Sequence, residues 1–131
     1  MNTHHVFPVF ACAAAYHPSS FESLLVQSFY VPLTPVICDK LVCGQLGQTV
    51  MQIKVPDRFV FRRFLDVFRA FMHFQVLCMG IYRAPQKVLG STLPYVYVSP
   101  TMNTVIAPGD RLFVFGTAVA LASAEEFAGT I

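Results

Sequence analysis

The sequence predicts an α+β domain: a small mixed β-sheet covered by one amphipathic helix, with a helix-turn-helix pair ahead of it. Three observations carry this. Short apolar runs bounded by Gly and Pro follow one another after residue 48. One stretch, "RFVFRRFLDVFRAFMHF", repeats its apolar residues with a helical period. Two short helical segments with apolar faces come before it, joined by only a few residues. At 131 residues the chain is long enough for one core and too short for two.

The first helix is read in "SSFESLLVQSFY", where Ser19 with Glu22 three residues on makes a capping box, and Phe21, Leu24, Leu25 and Phe29 fall on one face. A second is expected from Thr34 as N-cap, with Pro35 at the first helical position, through Val36, Ile37 and Leu41 to a stop at Gly44. "TVMQIKV", residues 49 to 55, alternates well enough for a strand that Pro56 ends. Asp57 then caps the strongly periodic helix, whose stripe is Phe61, Phe64, Leu65, Phe68, Phe71 and Met72. Its arginines lie within reach of Asp66 and read as a solvated face.

"FQVLCMGIYR", residues 74 to 83, lacks strong alternation and is too short to span a membrane, so it reads as a strand covered on both sides, with Arg83 marking its exit into water. Gly80 within it marks a close approach by another backbone or ring. "LPYVYVSP" is a further strand, and Pro108-Gly109-Asp110 turns the chain into a last strand from Leu112 to Phe115. The domain therefore divides into a helix pair over 8–44, an α+β lobe over 49–116 and an alanine-rich tail over 117–131, a frayed helix or disordered.

Composition poses a problem of cover. Hydrophobic residues make up 55% and charged residues 12%, against about 45–50% and about 25% in an average soluble domain. So apolar a surface calls for a membrane, an obligate partner, or the rest of a larger protein. A spanning helix needs roughly 20 consecutive apolar residues. No window offers them: Ala70 to Tyr82 is bounded by Arg69 and Arg83 and holds His73 and Gln75, and Ser23 to Cys38 is broken by Pro32 and Pro35. The N-terminus has no basic region and a proline within its apolar part, so it does not read as a signal peptide, and a cytosolic chain is expected.

Convergent polar groups are scarce. Cys12, Cys38, Cys43 and Cys78 show no CxxC spacing and are expected to be reduced thiols. The histidines are adjacent in the terminal segment (His4, His5) or isolated (His17, His73), the seven acids are scattered, and "GQLGQT" lacks the lysine of a phosphate loop. A thiol–imidazole pair of Cys78 with His73 fails because Cys78 falls inside the buried strand. The net charge of +2, with Arg58, Arg62, Arg63 and Arg69 interrupted by Asp66, does not suggest nucleic acid. These features point to an interaction or regulatory module with no catalytic, cofactor or metal site of its own.

Several words of the sequence then align with a known family. "FQVLCMGIYR" followed by "LPYVYVSPTMNTVIAPGDRLFVFG" resembles the last part of the second RCK domain of Slo-type (BK-type) calcium-activated potassium channels, and "PVFACAAAYHPSSFESLLVQSFY" is similar to that family's Pro-Phe-Ala-Cys segment and the helix after it. The resemblance implies a cytoplasmic gating-ring element of a tetrameric channel. There RCK domains of the same or neighbouring subunits pair through a helix-turn-helix, and ligand-driven movement is coupled to the pore. Carried onto this sequence, the pairing surface would comprise Phe10, Phe21, Leu24, Leu25, Phe29, Val36, Ile37 and Leu41. The family's acidic calcium bowl precedes the Pro-Phe-Ala-Cys segment, where this chain has "MNTHHVF" without a carboxylate. Calcium is therefore expected only through a longer polypeptide. The alternative is a free-standing small-molecule-sensing module of the same type without a pore.

Overall fold

A computed structural model describes residues 18–86 and 92–129. In chain order the elements are α1 (Ser19–Tyr30), α2 (Thr34–Cys43), β1 (Gln48–Lys54), a 3-10 turn at Asp57–Phe59, α3 (Phe64–Met72), β2 (Leu77–Arg83), β3 (Tyr95–Val98), β4 (Arg111–Thr117) and α4 (Ala118–Gly129). The fold is α+β, as the sequence implies. The sheet runs β1-β4-β2-β3, and each of its pairings is antiparallel rather than mixed.

One face of the sheet is packed and the other is half open. Ile53, Ile81, Leu112 and Val114 point to the packed face, where they meet Phe64, Val67 and Phe71 of α3 and Leu121 and Ala124 of α4. Phe113 and Phe115 lie on the other face, half-buried. The strand expected to be covered on both sides is therefore covered on one. Val76, Cys78 and Ile81 are buried, Met79 and Tyr82 are half-buried, and Leu77 is exposed. Both α3 and α4 contribute to the core on the packed face.

The periodic segment also departs from its sequence reading. Asp57 starts the 3-10 turn without a side-chain cap, and the helix begins only at Phe64. Between them the chain is captured by the 102–106 segment: Phe61 N–H donates to the Ile106 carbonyl, Ile106 N–H to that of Arg62, and Phe64 N–H to that of Thr104. The capture holds Phe61 at φ 65°, with the residue 74% exposed. The real stripe is Phe64, Val67, Phe68 and Phe71, while Phe61 and Met72 face water.

The N-caps shift as well. Pro18 and Leu33 precede α1 and α2 with helical angles and no side-chain cap, so neither the Ser19 capping box nor the Thr34 cap forms. Gly44 does end α2, at φ 70°, its N–H bonded to the Lys40 carbonyl. Of the two readings of the tail, a frayed helix or disorder, residues 118–129 form a helix, and Leu121 and Ala124 reach the core.

Gly80 sits where the β2–β4 register shifts, between Cys78 and Gly80. A Cβ there would lie 2.9 Å from the Tyr97 carbonyl oxygen, closer than contact allows. Gly80→Ala is expected to destabilise the domain by about 1–3 kcal/mol by pushing β3 away. An unchanged urea midpoint would show that β3 yields freely.

Candidate assembly surface

Isolated helices shorter than about 12–15 residues are marginal in water, and apolar packing must hold them. With 12 and 10 residues, α1 and α2 fall in that range, yet neither has a buried residue. They touch each other, and α2 touches β1. The joint to the lobe is a two-residue turn: Gln45 and Gln48 exchange backbone hydrogen bonds of 3.2 and 3.0 Å, with Leu46 and Gly47 both at positive φ. The pair is thus joined to the sheet by a short connection, and neither helix buries a residue against it.

Of the residues expected at a pairing surface, Leu24 and Leu41 are half-buried, while Phe21, Leu25, Phe29, Val36 and Ile37 are exposed, Phe29 to 82%. Phe10 lies outside the described residues. The sequence reading left out Val26, Tyr30, Val31, Leu33 and Val42, which are also exposed on this pair. Such residues at the turn and on the helix backs follow no single stripe, so periodicity does not pick them out. Burying a large apolar side chain is worth about 1.5–3 kcal/mol, and patches of this kind mark interaction surfaces.

The residue the sequence reading placed at the exit into water does something else. Arg83 and Asp110 form an ion pair with side-chain exposures of 12% and 0%. Arg83 Nη2 donates to Asp110 Oδ2 at 2.9 Å and to the Val105 carbonyl at 2.7 Å, and Nε donates to both carboxylate oxygens at 3.2–3.3 Å. Asp110 Oδ2 also accepts the Ala107 N–H at 2.9 Å. Burial works against the guanidinium charge, but hydrogen bonding to Asp110 and its charge, then Tyr95, outweigh it and raise the Arg83 pKa. The pair fixes the end of β2 to the loop that starts β4, on the same sheet that carries the helix pair through β1.

Cys78 and His73 sit on different elements. His73 is exposed at the end of α3, and Cys78 is buried in β2, where desolvation pushes its pKa from 9.0 up to about 12. Cys43 is exposed, and Asp39 raises its pKa through a hydrogen bond and then through its charge. Thiol reagents at neutral pH are expected to leave Cys78 unlabelled in the folded chain. The unfolded chain loses the Cys78 proton first as pH rises. Stability is therefore full below about pH 9 and falls toward pH 12 by up to about 1.4 kcal/mol per unit. Urea unfolding across that window tests this, and a Cys78→Ala chain with the same pH slope would refute it.

Among the described residues no group of three or more His, Cys, Asp or Glu side chains gathers to hold a metal, and no helix is long and apolar enough to cross a membrane. No protein-family model matches the chain, and no curated protein matches it. Solved structures do. The crystal structure of the GsuK RCK domain aligns with TM-score 0.50 at 17% identity, covering 72% of this chain and 20% of that one. The GsuK channel bound to NAD gives 0.51 at 18%, covering 72% and 17%, and the GsuK channel gives 0.50 at 19%, covering 72% and 15%. The chain spans a fifth or less of the length of these proteins, and over 72% of its own length it has the fold of a segment of an RCK domain.

Proposed function

We propose that this chain is the regulatory and assembly element of a potassium channel: a C-terminal RCK lobe that pairs with other RCK domains of the same or neighbouring subunits through α1 and α2. The observation that carries it is a pair of short helices without one buried residue, attached to a lobe of RCK fold. In this reading the pair completes its packing only in a partner's company. The ion pair and the sheet hold the pair's attachment rigid, so that movement of the partner reaches the rest of the assembly. The Slo-type words "LCMGIYR" and "APGD" support placing the element in a tetrameric calcium-activated channel, on the cytoplasmic side of the membrane. Calcium would bind a carboxylate set outside the described residues, and the chain would perform no catalysis.

Sedimentation of the chain across a concentration series tests the pairing. Self-association, or a complex with a separately supplied RCK domain, is expected. A single monomeric species in both experiments would overturn it. A second reading, a ligand-sensing module without a pore, draws on the NAD-bound state of one structural neighbour. A rise in Tm of this chain on adding NAD would favour that reading.

A further inference from the structure

The captured loop after β1 carries a second feature, independent of the helix pair. Arg58, Arg62 and Arg63 line one open cavity of about 450 Å³ together with Phe59 and Asp66. Three arginines and one carboxylate line it, for a local formal charge of +3 − 1 = +2, equal to the formal charge of the whole chain; Arg58 also borders a neighbouring cavity with Asp57 and Glu125. Asp66 compensates weakly, since Arg63 Nε lies 3.9 Å from Asp66 Oδ2. The Arg62 side chain has no partner among the described residues. Arg58 is held between two aromatic rings, its Cζ 4.4 Å from the Phe59 centroid and 4.7 Å from that of Phe127. Its Nη1 donates to the Phe127 carbonyl at 3.2 Å, but its Nε is buried with no partner.

A buried donor left unpaired is costly, as is crowding of like charge around one cavity. The backbone that brings these groups together is also strained. Phe61, between Arg58 and Arg62, is an exposed aromatic at φ 65°, a conformation that bulky residues adopt only where the surroundings force it. Here the forcing contacts are the hydrogen bonds to the 104–106 segment. The three arginines are therefore set on a fixed loop rather than on a free surface helix.

We infer that this cavity binds a phosphate group, free or esterified. A phosphate carries about −1.5 to −2 charge at neutral pH and several strong acceptor oxygens, which matches the +2 of the cavity. Guanidinium forks suit such oxygens better than ammonium groups do. Phosphate also supplies acceptors to Arg62, whose side chain has none among the described residues. The site lies on the α3 side of the lobe and makes no use of α1 or α2, so its occupancy is separate from self-association.

The test titrates the whole chain with inorganic phosphate by calorimetry, against chloride at equal ionic strength. A second arm uses phosphatidylcholine vesicles with and without phosphatidic acid. One phosphate per chain and a raised Tm are expected. Arg62→Gln/Arg63→Gln, at exposed positions, keeps the Tm of the free chain and weakens phosphate by about tenfold or more. Stronger binding to phosphatidic acid than to free phosphate supports the site and assigns its ligand to a lipid headgroup; the reverse supports it and assigns a soluble phosphate. Phosphate binding no stronger than chloride overturns it, as does phosphate or vesicle binding that survives the double substitution.

Discussion

Asp110→Asn is expected to lower the unfolding free energy by about 3–5 kcal/mol, the range for removing one partner of a buried ion pair. The carboxylate is fully buried and touches three groups: two guanidinium nitrogens and the Ala107 N–H. Asparagine is nearly the same size and can still accept from Ala107. It cannot neutralise Arg83, and its amide hydrogens oppose the guanidinium donors. The expected loss therefore reports the stranded charge rather than a cavity. At this chain length it corresponds to a Tm drop of roughly 10 °C or more.

Arg83→Met alone strands the opposite charge and should cost a similar amount. Arg83→Met with Asp110→Asn removes both charges, and a double-mutant cycle should show the combination less destabilised than the sum of the singles. Additive losses would mean that the two side chains act separately, with the carboxylate serving only as the loop's acceptor for Ala107.

The ion pair also shows where the sequence stops being informative. Pro108-Gly109-Asp110 is legible as a turn because proline and glycine set their own backbone angles, and the turn is where expected. Arg83 at the end of an apolar strand is equally legible as an end. Their meeting depends on the β2–β4 register, which pairs Tyr82 with Arg111 and so brings Arg83 beside Asp110. Residues 27 apart cannot announce such a register locally. Phe61 is a similar case. Its spacing from Phe64 and Phe68 fits a helix, and only hydrogen bonds to a segment some 40 residues later divert it. What was legible, the helix pair, the turn at Gly44, the close approach at Gly80 and the strand locations, rests on local chemistry. The cavity of arginines was legible only as a charged face, because its convergence follows from that diversion.

Leu25→Asp with Ile37→Asp should abolish association through the helix pair while leaving the lobe folded. Both positions are more than half exposed in the single chain, one on each helix, so neither substitution opens a cavity in the core. In a partner's groove the two aspartates would instead be buried without counter-charges, a penalty of several kcal/mol per ion that an interface built on apolar contacts cannot absorb. Leu41 is a poorer site for the second charge. It is half-buried, so aspartate there would disturb packing within the single chain and blur the cause of any loss. The prediction separates cleanly in measurement: sedimentation should shift to a single monomeric species, while the near-native urea midpoint shows that the sheet and the Arg83–Asp110 pair are untouched. Oligomers that persist with both aspartates in place would move the assembly surface elsewhere. The half-open sheet face bearing Phe113 and Phe115 would then be the next apolar surface to alter.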